Sequence, residues 1–218
     1  MDNLTAWSDR AELVGTVDFT MMFAAHDAFS RDVARMLDAC DKGRTFTPQT
    51  TAAWKRFKRF LHIHHVAEDE ALWPQLRAAV DRPADLETLA AMEFEHARID
   101  PLIFLVDNAF ASRDDDAVAV EIGELADELG AHMRHEERRA LPLLEQHLGR
   151  SGWDAFGRWI RKEQGLRAAA EYLPWLLDDA RDPTLTAVMK QLPLPARLLY
   201  RRVWEPKYRN AETARAAA

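Results

Sequence analysis

The chain has 218 residues, of which 48% are hydrophobic and 30% charged, a composition typical of a globular protein with one sizeable core. Its formal net charge of −7 argues against a general nucleic-acid or anionic-membrane surface. The one cysteine, Cys40, has no partner within the chain for a disulfide, and it excludes thiolate zinc sites of the zinc-finger kind. Because neither a leader pattern nor an apolar run of spanning length is found, we expect a cytoplasmic protein that binds no membrane.

Apolar residues recur with helical periodicity along most of the chain, and no sustained alternation of the strand type is found. Thr47 and Asp85 are predicted N-caps, Pro48 suits a first helical turn, and the aspartates at 114–116 suit a helix N-terminus. The pattern predicts an all-α protein with four long helices joined by short connections. Its helices are expected at about 13–41, 48–80, 85–112 and 114–149.

After Gly149 the pattern breaks into shorter helices because prolines interrupt it repeatedly. We therefore divide the chain into a bundle of residues 1–149 and a helical extension of residues 150–218 packed on it. Short helices are expected at about 153–163, 166–179, 185–191 and 196–203, followed by a frayed end from Ala211. The extension could be a plain cap, a lid that brings Tyr172 or Trp175 to a functional site, or a homodimer interface.

Two copies of one motif lie in the second and fourth predicted helices. The first is His64-x-x-x-Glu68 followed by Pro74, and the second is His132-x-x-x-Glu136 followed by Pro142. Four residues is about one helical turn, so the histidine and glutamate of each copy project from the same face. This arrangement is typical of a chelating site.

Two further histidines, His26 and His96, complete a repeat in which a histidine precedes each motif. All of these residues lie within apolar helical stripes that contain no lysine or arginine, and a buried carboxylate without a partner costs several kcal/mol. A lone histidine on an apolar face is usually a core residue, but the combination indicates a metal site. The candidate ligands are His26, His64, Glu68, His96, His132 and Glu136.

The other histidines fall outside the inward stripes. We expect His62, His65 and His135 to be surface or supporting residues, and His147 to be a favourable charge at a helix C-terminus. The spacing His65-x-x-x-Asp69 mimics the motif but is out of register with it.

Over residues 15–148, the two motifs resemble the signature repeats of the hemerythrin-like proteins, also called the HHE cation-binding domain. The resemblance implies an up-down four-helix bundle around a non-haem di-iron centre with an oxo or hydroxo bridge. It also implies nitrogen ligands from the four histidines and bridging carboxylates from the two glutamates.

The chain departs from the oxygen-carrying members, whose third helix supplies two histidines one turn apart, because Asp100 stands four residues after His96. It is closer to the branch with six ligands. Two six-coordinate metals offer about twelve positions, of which these ligands fill about eight. A further anion such as Asp100 or Glu93 would help to balance the charge of two divalent ions. The donor types favour iron over manganese or zinc.

A ferritin-like carboxylate site is the nearest structural alternative. It requires Glu-x-x-His on two helices, and only Glu93-x-x-His96 has that spacing.

Two classes of function follow from such a centre. One is an oxidoreductase that breaks down peroxide or activates dioxygen on a small substrate, with electrons from an external donor because no flavin or nicotinamide motif is found. The other is a non-catalytic protein that binds or senses dioxygen, nitric oxide or iron. The sequence names no catalytic residue beyond the candidate ligands.

Overall fold

The computed structural model describes residues 15–217, except for the side chains of residues 164, 166 and 167. This part of the chain contains helices and no strands, which confirms the predicted all-α class. The helices are α1 (Thr20–Asp41), α2 (Pro48–Ala67), α3 (Trp73–Ala79), α4 (Pro83–Ser112), α5 (Asp115–His135), α6 (Leu141–His147), α7 (Gly149–Leu176), α8 (Asp182–Gln191), α9 (Leu194–Leu199) and α10 (Glu205–Ala216). Three π-helical turns join consecutive helices, namely π1 (Glu68–Leu72), π2 (Glu136–Ala140) and π3 (Tyr200–Trp204).

The four long helices α1, α2, α4 and α5 form the predicted bundle. In it, α1 packs against α2 and α5, and α4 packs against α5. Two of the predicted helix starts are confirmed in detail. The Thr47 side chain accepts a hydrogen bond from the Thr50 backbone N–H (3.2 Å), and Asp114 accepts one from Ala117 N–H (3.0 Å). Each cap satisfies a backbone donor that the first helical turn leaves unpaired.

Three predicted boundaries were wrong. Residues 15–19 precede α1 rather than belonging to it, while positions 13 and 14 lie outside the described residues. The N-cap of α4 is Arg82, because Pro83 takes the first helical position, and Asp85 lies inside the first turn, paired with Arg82 (2.7 Å). The C-terminal segment is helical as far as Ala216 instead of fraying from Ala211.

Each π turn begins six residues before a proline. In π1 the Trp73 N–H donates to the Glu68 carbonyl, and in π2 the Leu141 N–H donates to the Glu136 carbonyl, five residues back instead of four. A proline one residue later has no N–H to continue the α-helical pattern, which favours this wider turn. The prolines are Pro74, Pro142 and Pro206.

The C-terminal extension shares a hydrophobic core with the bundle. Trp175 in α7 is fully buried, with its ring centroid 5.1 Å from that of Phe29 and 4.6 Å from that of Phe60. Its indole N–H donates to Asp32 Oδ2 (2.7 Å) in α1. The chain bends within α7 at Gly165 (φ 68°, ψ −179°), where two helices were predicted to meet. The exact division into residues 1–149 and 150–218 stays a prediction.

Within residues 15–217, no helix combines the length and the apolar character needed to cross a membrane.

Candidate metal centre

The bundle brings all six predicted ligands into its interior. His26 comes from α1, His96 from α4, and each motif contributes a histidine in the last turn of a helix and a glutamate at the first position of a π turn. The side chains of Glu68 and Glu136 are 0% exposed, and even the most accessible of the six, His64, is only 11% exposed. π-helical turns are frequent at functional sites, and here both begin at a candidate ligand.

The four histidines form two pairs with the glutamates between them. His26 and His64 form the α1–α2 pair, and His96 and His132 form the α4–α5 pair. In the α1–α2 pair, His26 Nε2 lies 3.0 Å from Glu136 Oε2 and His64 Nε2 lies 3.2 Å from Glu68 Oε1. In the α4–α5 pair, the Nε2 atoms of His96 and His132 are 3.0 Å apart, and His96 Nε2 is 3.5 Å from Glu68 Oε2. Glu68 therefore directs one oxygen toward each pair, as a bridging carboxylate would.

Within residues 15–217, three groups of three side chains each have ligand atoms within 4.8 Å of one another. The first group is His26, His64 and Glu136, and the second is Glu68, His132 and Glu136. The third adds His65 to the α4–α5 pair.

Several polar atoms of this cluster are buried without a hydrogen-bond partner. Both carboxylate oxygens of Glu68 and Glu136 are unpaired, and so is His26 Nε2, which is close to Glu136 but not aligned for a hydrogen bond. Leaving such groups unpaired in an apolar interior costs about 1–3 kcal/mol each, and more for charged groups. A bound cation would satisfy them, so the nitrogen and oxygen donors fit a metal centre.

Three further carboxylates hold the outer nitrogens of the histidine rings, which leaves the Nε2 atoms directed inward. His26 Nδ1 donates to Glu137 (2.8 Å), His96 Nδ1 to Asp69 (2.9 Å) and His132 Nδ1 to Glu95 (2.9 Å). Such partners fix the ring orientation and increase the basicity of a metal-binding imidazole. Sequence reasoning missed all three, although each is a neighbour in sequence of a candidate ligand.

Burial and neighbouring charges shift the pKa values of several groups in the cluster. Burial, with further help from the neighbouring histidines, places the pKa of His64 and His65 well below the usual range, so both rings are neutral at pH 7. Burial also raises the pKa of Glu68 well above its usual range, and the charges of Glu136 and Asp69 add to this shift. For His26, burial lowers the pKa, but Glu136 and Glu137 outweigh it and raise the pKa to about 9.

His65 is the main departure from the prediction for the remaining histidines. It is buried, and its ring stacks on that of His96 with centroids 3.9 Å apart. The prediction assigned one narrow stripe to α2, whereas the inward arc of a bundle helix exceeds 100° and can include consecutive residues. His62 is exposed, as expected, and His135 donates to Glu95 (2.7 Å), a supporting contact.

The suggested additional anions do not reach the centre. Asp100 and Glu93 are both exposed, and Glu93 accepts a hydrogen bond from Arg77 (2.7 Å). The inward face of α4 continues from His96 through Ile99 rather than through Asp100. The alternative hypothesis of a ferritin-like carboxylate site needed Glu93 as a ligand, and the exposed position of Glu93 argues against it.

Tyr172 of the extension lies close to the site. Tyr172 of α7 packs edge-on against Phe60 (5.2 Å between centroids), and α7 contacts the π1 turn. Burial raises the pKa of Tyr172, and the charge of Glu68 raises it further, so the phenol lies within electrostatic reach of that carboxylate. Trp175, the other predicted lid residue, belongs to the core instead.

The hemerythrin HHE cation-binding domain is the family whose model matches this chain, over residues 17–144. The matched segment is more than half of the 218 residues and contains all six predicted ligands. The chain therefore belongs to this family. Neither the curated proteins nor the solved structures include a match.

Proposed function

We propose that the protein holds two iron ions between the α1–α2 and α4–α5 histidine pairs and is an oxidoreductase acting on peroxide or dioxygen. The observation that carries the proposal is the pair of fully buried glutamates, whose four oxygens have no hydrogen-bond partner and lie between the histidine pairs. Apolar surroundings make such carboxylates costly unless a cation binds them.

The surrounding residues have distinct roles in this proposal. The four histidines would supply ring nitrogens, and Glu68 and Glu136 would supply carboxylate oxygens to both positions. Glu137, Asp69 and Glu95 hold the imidazole rings in place. Apolar side chains such as Phe29, whose centroid is 5.3 Å from that of His64, keep bulk water away. When bound, the irons would supply the open coordination positions and the electron transfer that reactions of dioxygen or peroxide require.

Iron is preferred to manganese and zinc because mixed imidazole and carboxylate donors with open positions suit a redox metal. An external electron donor completes the proposal, because the sequence has no recognisable flavin or nicotinamide motif.

Peroxide turnover tests the proposal. Protein from iron-supplemented cells is assayed for iron and for its ultraviolet-visible spectrum, and peroxide is then added while oxygen is monitored. We expect iron-dependent absorption bands and sustained oxygen evolution, both lost in Glu136→Ala and retained in His62→Ala, whose side chain is exposed. Iron binding without consumption of peroxide, and without oxidation of any added reductant by dioxygen, would contradict an oxidoreductase.

A sensing function is the second candidate, and the contact between α7 and π1 favours it. Because π1 begins with Glu68, a change in the coordination of that carboxylate could be transmitted to the extension. A sensor would show a spectral change with nitric oxide or dioxygen, together with altered protease sensitivity of residues after 150, and no sustained turnover.

A further inference from the structure

His65 has the features of a ligand rather than of a packing residue. Its side chain is 6% exposed, and its Nε2 atom is buried without a hydrogen-bond partner. A buried imidazole that serves only for packing normally satisfies its polar nitrogens. The unpaired nitrogen of His65 therefore needs another partner.

The position of His65 shows which partner is available. One ring nitrogen of His65 lies within 4.8 Å of ligand atoms of both His96 and His132. The rings of His65 and His96 are nearly parallel, at 10°, while His132 is turned at 82° to His65. Three imidazoles from three helices thus place ligand atoms within 4.8 Å of one another, with no lysine or arginine among them.

The adjacent His64 belongs to the other pair. Consecutive residues on a helix are rotated by about 100°, so α2 can direct His64 toward α1 and His65 toward α4. The ring of His64 lies 5.3 Å from that of His26 in α1, and the ring of His65 lies 3.9 Å from that of His96 in α4. One dipeptide thus faces both metal positions.

We propose that His65 is a seventh protein ligand, which binds the metal ion held by His96 and His132. This inference rests on the proposed metal centre. It makes the two positions unequal, with two histidines at the α1–α2 position and three at the α4–α5 position, while Glu68 and Glu136 are shared.

Cobalt(II) titration separates coordination from ring stacking. The variant His65→Phe keeps a buried ring against His96 but removes both nitrogens, and His62→Phe is the matched control on the exposed side of the same helix. We expect His65→Phe to weaken binding of one of the two cobalt equivalents by more than tenfold, whereas His62→Phe binds both as the unmodified protein does. Unchanged binding of both equivalents by His65→Phe would overturn the proposal.

Rescue of cobalt binding by added imidazole distinguishes coordination by His65 from a purely structural role, because imidazole can replace a lost ligand. In His65→Gly, added imidazole should occupy the vacated space and restore the weakened cobalt equivalent together with its visible absorption. The same treatment should not change cobalt binding by His62→Gly. Failure of imidazole to restore binding in a helical, correctly folded His65→Gly variant would count against coordination by His65.

A crystal structure of the unmodified chain with cobalt covers the case in which the variants fail to fold. We expect a His65 nitrogen at about 2.0–2.3 Å from one cobalt ion, close to ordinary metal–imidazole distances. Two cobalt ions in the bundle with His65 beyond bonding distance would overturn this inference alone. An interior without cobalt would overturn the proposed metal centre itself.

Discussion

At the scale of single residues, the candidate ligands are accompanied by acidic neighbours that hold three of the histidine rings. Asp69 and Glu137 directly follow the two motif glutamates, and each accepts a hydrogen bond from a histidine on another helix. The convergence of the six candidate ligands in the interior could be predicted from motif spacing. These contacts between helices could not, because they depend on how far each helix is rotated about its axis. The acidic residue after each motif glutamate was the available hint.

Replacing Glu137 should weaken metal binding without removing a ligand. In Glu137→Ala the Nδ1 atom of His26 loses its acceptor, and loss of such a partner typically lowers metal affinity by about 10–100-fold. Competition with a chelator of known affinity measures the change. Glu70→Ala is the control, because Glu70 is exposed on π1, and it should leave the affinity within about twofold. Equal affinities of the two variants would contradict the assigned role.

Metal loading at pH 7 should release protons. His26, whose pKa is raised to about 9, carries a proton at pH 7 that a metal must displace. His64 and His65 are already neutral and contribute none. Metal affinity should therefore increase with pH until the pKa of His26 is passed. Titrations at several pH values, with an indicator dye in weak buffer, measure both effects, and a pH-independent affinity would refute this account.

At the scale of helices, the bundle follows from periodicity, whereas its π turns do not. The apolar stripes and the cap residues Thr47 and Asp114 predicted three of the four bundle helices to within a few residues. Periodicity over many residues averages out a single wider turn, so π1 and π2 were not predicted. In hindsight, Pro74 and Pro142 were the local indication, since both remove a donor at the same distance after a motif glutamate.

The junction between α7 and the bundle should contribute strongly to stability. Trp175→Ala removes a fully buried ring and its hydrogen bond to Asp32, so we expect the free energy of unfolding to fall by about 3–5 kcal/mol. Leu194→Ala, at a position of the extension that is 66% exposed, should change it by less than about 0.5 kcal/mol. Urea denaturation followed by circular dichroism compares them. Similar small changes in both variants would show that α7 is not part of the core.

At the scale of the whole molecule, the extension and the bundle share one hydrophobic core. The prolines after Gly149 predicted short helices, and α8 and α9 are short, whereas α7 runs from Gly149 to Leu176 with a bend at Gly165 and contains Pro174. The prolines carried no information about which face would meet the bundle. Trp175 was one of two residues that the lid alternative would bring to the site. It lies in the core instead, because Phe29 and Phe60 pack against its ring and Asp32 accepts its N–H. Tyr172, one turn earlier in α7, has its pKa raised by burial and by the charge of Glu68, which places it within electrostatic reach of that carboxylate.

Removal of metal should destabilise the entire chain. Without a cation, the buried oxygens of Glu68 and Glu136 have no hydrogen-bond partner, and burial together with the charge of Glu136 disfavours the ionised form of Glu68. Metal at a thousand times its dissociation constant would contribute about 4 kcal/mol, which corresponds to a rise of roughly 10 °C in Tm for a chain of this size. Differential scanning calorimetry with and without a chelator measures the shift. The chelator should have no effect on His64→Ala, and a Tm that is insensitive to metal in the unmodified protein would contradict the prediction.

The iron content of protein purified from iron-supplemented cells tests the central claim most directly. We predict about two iron ions per chain in the unmodified protein and in His62→Ala, as expected for a di-iron site in a helical bundle. His64→Ala and Glu136→Ala should lose most of this iron, and magnetic coupling between the two ions should be visible by Mössbauer spectroscopy. Protein free of iron, or with the same iron content in all of these variants, would contradict a metal centre built from the two motifs.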